Sequence, residues 1–552
     1  MKGVVCVAVC LLAVVAGNEY DNVVIEAAAM QLLNFSQEHP KPNLLTTSAG
    51  IPVDIRDWTA LNSDFFDNEF FVDSTLTLDA ERIPERVVHA KGTGVLGYFE
   101  VTNDVSKYTK ADVFNGIGKR TSIVVRFSTV AQNLGGPDTL REMKAFAVKF
   151  YTKDGNLDLI GINFPVYFYK DPIDFTSFVR CFRRNPSSHL FDQNSRWDFI
   201  TQKPSTIHGM LWLFSDYGLP DGYRKMDNFP VHTYVINNEN GDKYYAKFNF
   251  RTEQGLANLT NAQAQALGDI DYYTRDLYNS VEENNFPVWR LDMDIMMPEN
   301  SKYLDYDPFD VTVLWKRGDY KTVTIGRLVL NQNTDNNFRD IEQSAFCPGN
   351  LVPGIPGPID FMFKSRRVAY RDTQNYRLGR NHDKIYVNQP IYAKTYNRDG
   401  RPPLDDNMRD TPNYFSNSFN GPVPFVDETR PKTKLLLLES NAIDLQPAAD
   451  FYNEYVKEDA HRDRLASNVV ESFQNVYPEL IDRAVKLLSQ IDPDLGRRVN
   501  DKLWQQQQQQ RAAAASVRKL PRLQQKTRPL NHRPVTSKIS SEFSRRDKII
   551  NY

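Results

Sequence analysis

The sequence predicts an α+β fold in which an antiparallel β-barrel is followed by an irregular segment and a helical domain. Between about residues 85 and 335, short β-rich runs such as GVLGYFEVT, SIVVRFSTV and KYYAKFNFRT alternate with glycine turns, a pattern typical of antiparallel barrels. Residues 345–435 are rich in Pro, Asn, Asp and Arg, which favours a segment that wraps another surface. From residue 448 to 503 apolar residues recur three and four apart, which predicts helices.

Six regions follow from these patterns and from the composition of the two ends. They are a signal peptide (1–17), an N-terminal arm (18–84), the barrel with helical insertions (85–345), a wrapping segment (346–440), a helical domain (441–503) and a disordered basic tail rich in Gln and Ala (504–552).

The N-terminus, MKGVVCVAVCLLAVVAG, has the lysine, the apolar run and the small residues of a secretory signal peptide. The run is shorter than the roughly 20 apolar residues that span a bilayer, although a membrane anchor at this end is the alternative. We therefore expect a protein that is secreted or lies in the lumen of the secretory pathway. Asn34 in NFS and Asn258 in NLT are candidate glycosylation acceptors, and the C-terminal IINY does not match the peroxisomal Ser-Lys-Leu signal.

The composition limits the partners and the disulfide chemistry. A formal net charge of −2 over 552 residues gives no support for nucleic acid as the main partner. No segment after the N-terminus is apolar and long enough to span a membrane. Cys181 and Cys347 remain once the signal peptide is removed; they could pair in an oxidising compartment, but two cysteines make no disulfide framework.

One histidine stands out in the stretch PERVVHAKGTG, residues 84–94. His89 follows two β-branched residues and precedes a run of small ones. Taken alone, the stretch leaves two interpretations open. His89 is either a core histidine whose ring nitrogens are satisfied by the backbone, which is the commoner case, or a buried base that faces a ligand.

A second stretch, SRRVAYRDTQNYRLG at residues 365–379, pairs an arginine with a tyrosine. Arg366 lies four residues before Tyr370, so the two side chains share a face if the segment is helical. A fixed cation favours the phenolate form of a tyrosine, whose reference pKa is ~10. A phenolate is a hard anionic ligand suited to ferric iron. On its own, such a pair is more often ordinary surface packing.

Together with VVRFSTVA (124–131), these two stretches resemble the haem catalases. LDAERIPERVVHAKGTG (78–94) is similar to the distal-histidine motif of that family, and residues 366–374 are similar to its haem-ligand motif. The resemblance covers about residues 45–500. Three further blocks match in the same order: YKDPIDFTSFVRCFRRNP (169–186), WLFSDYGLPDGYRKM (212–226) and DPFDVTVLW (307–315).

The resemblance implies the catalase fold, with an eight-stranded antiparallel barrel, a wrapping segment and a C-terminal helical domain, assembled as a homotetramer. It also implies haem b with Tyr370 as the proximal iron ligand, since tyrosinate ligation is a known property of catalase haem. Arg366 would keep Tyr370 ionised. Three arginines would pair with the haem propionates: Arg86, Arg126 and Arg377.

The same resemblance assigns the distal side. His89 would be the general base that moves a proton between the oxygens of hydrogen peroxide, and Ser128 would fix its tautomer and ring plane. Val88, Val130 and Phe175 would line the pocket and its entry channel.

One position departs from the family in a way that bears on activity. The family has a distal asparagine that donates a hydrogen bond to the peroxide; in register with Gly161 and Pro165, that position is Ile162, which has no donor. Asn163 is adjacent, but neighbouring strand side chains alternate faces, so only a β-bulge would turn it into the pocket. Tyr167 offers another substitute donor. Losing one preorganised donor can lower a rate ~10²–10³-fold, so we expect a weakened catalase.

Some catalases also bind NADPH, and here the match is incomplete. Four residues match nucleotide-contacting positions: His208, Trp212, Ser215 and Arg251. Three depart from them: Tyr217 in place of an arginine, Arg317 in place of a histidine, and Pro447 in place of a helical-domain contact. NADPH binding is therefore doubtful.

Two functional hypotheses remain. The first is a secreted haem enzyme that converts hydrogen peroxide to water and dioxygen, with activity reduced by Ile162. The alternative is a catalase-like haem-binding protein with little dismutation, acting as a weak peroxidase, a sensor or a structural protein.

Overall fold

The structure is a computed structural model, and it describes residues 26–62, 64–191, 193–404, 409, 418–428, 449, 452–454, 456–473 and 476–518. The predicted signal peptide, Pro447 and the end of the predicted tail lie outside these residues. The chain forms two compact units, Met1–Pro431 and Lys432–Tyr552.

The first unit is built on one antiparallel sheet. Its strand order is β4-β3-β2-β1-β8-β7-β6-β5-β9, in which each neighbouring pair is antiparallel. The strands are β1 (Gly92–Val101), β2 (Arg120–Thr129), β3 (Lys144–Thr152), β4 (Gly155–Ile162), β5 (Tyr234–Asn237), β6 (Lys243–Thr252), β7 (Val288–Met296), β8 (Lys321–Asn333) and β9 (Gly357–Pro358).

The sheet curls, and the end of β4 is linked back to β6. Ile162 exchanges two backbone hydrogen bonds with Phe229, at N–O distances of 3.1 and 2.7 Å. Asn228 exchanges two with Phe250 of β6, both at 2.9 Å. The predicted eight-stranded antiparallel barrel is therefore confirmed for β1–β8. The two-residue strand β9, which pairs with β5, is an addition that the sequence did not predict.

Aromatic rings fill the inside of the sheet, because alternate residues of each strand face inward. The ring centroids of Phe127 and Phe146 lie 5.0 Å apart, and the Trp289 ring lies 5.5 Å from Phe127. The indole N–H of Trp289 donates to the Met226 carbonyl at 2.9 Å, so this buried polar group has a partner.

The helices lie before, between and after the strands. They are α1 (Gln31–Glu38), α2 (Glu69–Ala80), α3 (Asp174–Cys181), α4 (Gln193–Gln202), α5 (Ile207–Phe214), α6 (Asn261–Leu267), α7 (Tyr272–Glu282), α8 (Phe361–Leu378), α9 (Asp459–Ser472), α10 (Pro478–Ile491) and α11 (Pro493–Arg518). A π-helical turn covers Phe338–Glu342. None of the helices in the described residues combines the length and the apolar character needed to cross a membrane.

The helical unit corrects one expectation. Helix α11 continues to Arg518, so residues 504–518 are helical where the sequence predicted disorder from residue 504. Val499 and Leu503 anchor the helix in an apolar cluster with Val456 and Val470. Gln and Ala have good helix propensity, so a helix that is anchored upstream continues easily through such residues.

The two cysteines of the described residues do not pair. Cys181 at the end of α3 and the buried Cys347 are both free thiols. The backbone N–H of Cys347 donates to the carboxylate of Asp158 at 2.9 Å, which ties this loop to β4.

Candidate active site

His89 lies three residues before β1 and faces the end of β2. The register pairs Gly92 with Ser128, and the N–H of His89 donates to the Val130 carbonyl at 2.9 Å. The backbone of His89 has a φ of 62°, an uncommon value for a residue with a side chain. The Ser128 hydroxyl lies 2.9 Å from His89 Nδ1, so the structure brings together the predicted base and its predicted partner.

The surroundings of His89 keep its imidazole neutral. Burial, followed by the positive charges of Arg126, Arg366 and Arg86, lowers the pKa of His89 to about 3. A neutral imidazole has one ring nitrogen that can accept a proton. In the tautomer whose Nδ1–H donates to the Ser128 hydroxyl, Nε2 is the nitrogen available as a base.

The small residues after His89 make room for Arg126. A Cβ on Gly92 would lie 2.3 Å from the Phe127 carbonyl oxygen and 2.7 Å from Arg126 Nη2, so the backbone of β2 leaves no room for a side chain here. The Arg126 guanidinium uses this space to donate to the carbonyls of His89 at 3.0 Å and Ala90 at 3.1 Å. Gly92 is therefore needed because other groups approach its Cα closely, and not because the chain turns there.

Three arginines meet around one carboxylate. Glu342 accepts from Arg86 at 3.2 Å and from Arg377 at 3.0 Å. Burial, and then the charges of Arg126 and Arg377, lower the pKa of Arg86 well below its usual value. Burial likewise lowers the pKa of Arg126 to about 10. Sequence reasoning identified the arginines and missed Glu342.

This arginine cluster fits a ligand with two carboxylates. Three guanidinium groups and one carboxylate leave two positive charges uncompensated, which matches the two propionates of a haem. The Nε atoms of Arg126 and Arg377 are buried, and within the described residues they have no hydrogen-bond partner. Orphaned guanidinium donors of this kind are suited to carboxylate oxygens.

The predicted iron ligand lies on α8. The helix begins after Asp360, whose Oδ1 accepts from the N–H of Phe363 at 2.8 Å and caps the helix. One turn separates Arg366 from Tyr370, and Arg366 Nη2 donates to the Tyr370 oxygen at 3.0 Å. Burial disfavours the Arg366 charge, but the phenols of Tyr370 and Tyr167 outweigh it and raise the pKa of Arg366.

A chain of hydrogen bonds extends behind Arg366. Its Nη1 lies 2.8 Å from His232 Nε2, and His232 Nδ1 lies 3.1 Å from Asp360 Oδ2. Arginine can only donate, so His232 Nε2 is the acceptor. His232 Nδ1 therefore carries the hydrogen and donates a hydrogen bond to Asp360. Burial lowers the pKa of His232, consistent with this neutral tautomer. We call this Asp360–His232–Arg366–Tyr370 series the proximal chain; sequence reasoning found its last two members and missed the first two.

The distal side is apolar apart from His89 and Ser128. Ile162 is buried and shares one apolar cluster with Val130, against which Val88 and Phe175 pack. The structure therefore places the three residues predicted to line the pocket, Val88, Val130 and Phe175, in one apolar cluster with Ile162. Asn163 does not substitute for the missing donor, because its Oδ1 accepts from the N–H of Lys144 at 2.9 Å and its Nδ2 donates to the Tyr217 carbonyl at 2.8 Å.

Tyr167, the other candidate donor, is paired with a second tyrosine. Its hydroxyl lies 3.3 Å from that of Tyr169, and burial raises the pKa of both phenols. Both rings therefore stay protonated at neutral pH.

A cavity of about 260 Å³ includes Val88 and Val130 in its lining. Most of its wall is apolar, with Phe168, Phe178 and Leu213 among the lining residues. The polar lining residues are Gln132, Arg141, Glu142, Arg183 and Arg196. One carboxylate oxygen of Glu142 accepts from the N–H of Ala131 at 2.7 Å, while burial raises the pKa of the group. A mainly apolar cavity of this size suits small molecules.

The residues that match nucleotide-contacting positions are largely engaged with one another or with the backbone. His208 Nδ1 lies 2.7 Å from the Thr312 carbonyl, and the Ser215 hydroxyl donates to the Trp212 carbonyl at 2.6 Å. Arg251 forms an ion pair with Asp227 at 2.9 Å. The ring of Tyr217 lies 5.0 Å from that of Trp212.

Comparison with known proteins agrees with this geometry. Residues 46–421 match the sequence profile of the Catalase family, and residues 444–503 match the Catalase-related immune-responsive profile. Catalase-2 of Caenorhabditis elegans is 39% identical over 494 residues, which cover 86% of this chain and 98% of that protein. Catalase of Rattus norvegicus is 40% identical, covering 83% of this chain and 89% of that protein.

Solved structures give the same result. The structure of catalase A from Saccharomyces cerevisiae has a TM-score of 0.67 at 32% identity and covers 83% of this chain and 98% of its own. A bacterial catalase structure has a TM-score of 0.67 at 31% identity and covers 87% of this chain and 99% of its own. The chain therefore belongs to the catalase family of enzymes.

Proposed function

We propose that this protein converts hydrogen peroxide to water and dioxygen on a bound haem b, at a rate limited by Ile162. The observation that carries the proposal is the proximal chain, which directs a buried, obligatory cation at the oxygen of Tyr370. A phenol that needs only to pack has no use for such a partner, whereas a phenolate ligand requires one.

Haem iron, when bound, would supply the binding of peroxide and the redox chemistry. Tyr370 would be its protein ligand. Arg366 places a positive charge and a hydrogen bond on the Tyr370 oxygen, and His232 with Asp360 holds the guanidinium in place. The arginine cluster would hold the two propionates, which offset its surplus positive charge.

His89 would transfer the proton. Its neutral imidazole accepts a proton from one peroxide oxygen and returns it to the other, which leaves as water. Ser128 fixes the orientation of the ring through Nδ1, so that Nε2 is presented to the substrate. The apolar wall of Val88, Val130 and Phe175 excludes bulk water and larger molecules.

Ile162 removes one polarising donor from this arrangement. A peroxide beside His89 would meet an apolar side chain where an amide would donate to its second oxygen. Neither neighbouring polar residue is placed to compensate, because Asn163 is engaged on both sides and the hydroxyl of Tyr167 pairs with Tyr169. The expected cost is ~10²–10³-fold in turnover, by analogy with the loss of other preorganised donors.

The substitution Ile162→Asn tests this proposal directly. We expect oxygen evolution per haem to rise at least about tenfold, because the new amide can donate to the peroxide. Ile162→Val is the matched control, since it alters the volume without adding a donor and should leave the rate within about twofold. Equal rates for the asparagine variant and the parent, at equal haem content, would contradict the claim that the missing donor limits turnover.

A second candidate function is favoured by the same apolar pocket. A protein that binds haem and reacts with peroxide once, but evolves little oxygen, would act as a weak peroxidase or sensor. A peroxide titration of the haem-loaded protein separates the two candidates. Stoichiometric oxygen release supports catalase activity, and consumption of peroxide only in the presence of an electron donor supports the second function.

NADPH binding is not part of the proposed function. Arg251 matches a nucleotide-contacting position, but its charge is already paired with Asp227, whose carboxylate would repel the phosphates of a nucleotide. Tyr217 adds no positive charge at a position where an arginine would meet the phosphate. We expect no retained nucleotide in purified protein and no change in its fluorescence on adding NADPH.

We also propose that the protein is secreted and assembles as a homotetramer. Both glycosylation sequons lie on the surface, since Asn34 and Asn258 are exposed. Large apolar side chains of the N-terminal arm are exposed in the single chain, which supports their burial against another copy. Examples are Leu32 (79%), Ile55 (83%), Trp58 (66%) and Leu61 (94%). Light scattering of the secreted protein, with and without glycosidase, measures both the assembly and the glycans.

A further inference from the structure

The backbone beside His232 is strained. Val231 has a φ of 51°, and a β-branched residue rarely adopts this left-handed region because its side chain crowds the backbone. The N–H of His232 donates to the Pro230 carbonyl at 2.6 Å, which closes a three-residue γ-turn centred on Val231. Strain of this kind persists only where the surrounding structure holds the residue in place.

Lys247 of β6 supplies that restraint. Its ammonium donates to the Val231 carbonyl at 2.9 Å and lies over the Trp315 ring, 5.6 Å from the centroid. Burial lowers the pKa of Lys247 to about 8, so the side chain is still mainly protonated at neutral pH. A hydrogen bond from a cation to a carbonyl is stronger than a neutral one, which suits it to holding a strained turn closed.

A valine at this position has a use that a glycine would not serve. Val231 is buried in the same apolar cluster as Ile162 and Val130, so its side chain contributes to the packing of that cluster. Glycine would relieve the strain but leave a gap in the cluster. The strained turn therefore does two things: it buries the Val231 side chain in the apolar cluster, and it sets the position of the next residue, His232.

The position of His232 decides the geometry of the proximal chain. Its side chain is fully buried, and its two nitrogens bridge Asp360 and Arg366. The ring packs edge-on against Phe363 at 5.5 Å, which leaves it little freedom to compensate for a backbone shift. A shift of the turn would therefore draw Arg366 away from the Tyr370 oxygen.

We propose that the Val231 turn and Lys247 together form a positioning device for the proximal chain, with Lys247 required because Val231 is strained. The inference rests on the proposed function in one respect, that Tyr370 binds haem iron. Among the described residues, Lys247 contacts neither Tyr370 nor the predicted substrate pocket, so it is a positioning residue.

A double-mutant cycle on the full-length, haem-loaded protein tests the proposal. The variants are Lys247→Met, Val231→Gly and the two combined, and the readouts are the tyrosinate-ligand absorption bands and the rate of haem transfer to an excess of apomyoglobin. In the parent, Lys247→Met should speed haem loss at least about tenfold, the usual scale for losing an outer partner of a metal ligand. In the Val231→Gly variant the same substitution should have less than about a threefold effect, because the turn no longer needs restraint.

The cycle separates positioning from packing. The gap left by Val231→Gly is present both in that single variant and in the double variant, so it cancels when the effect of Lys247→Met is compared between them. Equal effects of Lys247→Met in the parent and in the Val231→Gly variant would overturn the proposal, as would no effect in the parent. Lys119→Met is the matched control: its ammonium also donates to a backbone carbonyl, that of Asp112 at 2.8 Å, and it should leave haem loss unchanged.

The same cycle on the apo-protein distinguishes failure of this inference from failure of the proposed function. If the parent binds no haem, the proposed function is wrong, and the urea midpoints still test the turn. Lys247→Met should then lower the midpoint more in the parent than in the Val231→Gly variant. Equal midpoint shifts would overturn the inference even where haem binding is intact.

Discussion

The proximal and distal sides of the candidate site are built differently. On the proximal side, four polar groups follow one another in an unbroken series of hydrogen bonds, and Asp360, Arg366 and Tyr370 all belong to α8 or its cap. On the distal side, a single imidazole and its serine partner lie against an apolar cluster. The side that would hold the cofactor is polar and connected, whereas the side that would meet the substrate has Ile162 at the position where the proposed function expects a donor.

The difference teaches where the chain can tolerate change. In a buried series, removing one group leaves the next without a partner, so each position carries the cost of an unsatisfied polar group. In an apolar cluster, exchanging one hydrocarbon for another changes packing only. We therefore expect an isoleucine at position 162 to alter the chemistry while leaving the fold and the residues of the proximal side intact.

The largest expected effect comes from breaking the proximal side at its end. Tyr370→Phe removes the only atom of that side chain that could bind iron, so activity should fall on the order of 10³-fold or more. The absorption bands of tyrosinate ligation should disappear with it. Tyr376→Phe is the matched control on the same helix, because Tyr376 is 71% exposed. Retention of the parent spectrum in Tyr370→Phe would show that the ligand was assigned wrongly.

Breaking the same series one step earlier should cost less. Arg366→Met removes the cation that donates to the Tyr370 oxygen, and we expect activity and haem affinity to fall about 10–100-fold. The measurement is a haem titration followed by Soret absorbance, together with initial oxygen-evolution rates. The exposed neighbour Arg367, changed to Met, provides the control for loss of charge on α8. An Arg366→Met variant with parental haem affinity would contradict the role given to the proximal chain.

On the distal side, removing the partner of His89 should have a smaller effect. Ser128→Ala deletes one hydrogen bond to Nδ1, worth about 0.5–1.5 kcal/mol, so turnover should fall roughly 2–10-fold. Initial rates at equal haem content measure it, with Ser122→Ala at an exposed position of β2 as the control. A fall as large as that of Arg366→Met would mean that the two sides are equally dependent on hydrogen bonding.

The smallest expected effect on rate is that of pH acting through His89. Because its pKa is lowered to about 3, its imidazole stays neutral between pH 5 and 8, and turnover should show no titration of this group there.

The free energy of unfolding, in contrast, should depend on pH through His89. The unfolded chain takes up a proton near the ordinary pKa of 6.5 and the folded chain does not, so the contribution of His89 is full above pH 6.5 and is lost as pH falls towards 3.

Urea unfolding of the apo-protein at a series of pH values checks this second part. His89→Gln should flatten the decline in stability between pH 6.5 and 3, because glutamine takes up no proton in either state. An identical pH dependence in the variant and the parent would contradict the lowered pKa.

The fold and the ends of the site were predictable from short stretches of sequence. Alternating β-rich runs and glycine turns indicated the barrel, and the four-residue spacing of Arg366 and Tyr370 indicated a shared helix face. The alternation of strand side chains predicted that Asn163 would face away from Ile162, and its hydrogen bonds to Lys144 and Tyr217 agree with that expectation.

The middle of the site could not be found in this way. His232 and Asp360 lie 128 residues apart in the chain and acquire their roles only through a contact made in the fold. Glu342 is similar, because its partners Arg86 and Arg377 come from distant segments. None of these residues stands in a stretch whose composition marks it. The predicted disorder after residue 503 was wrong up to Arg518, since low complexity was given more weight than helix propensity.

The link between Ile162 and Phe229 has a consequence for how this site can evolve. Phe229 bonds to the distal position through its backbone, and three residues later the same short segment supplies His232 to the other side. Because only two residues separate Phe229 from His232, a backbone shift on the distal side would also move the proximal side. Adaptive changes at position 162 are therefore expected to be accompanied by changes at 230 and 231, and the two faces to diverge as a pair rather than independently.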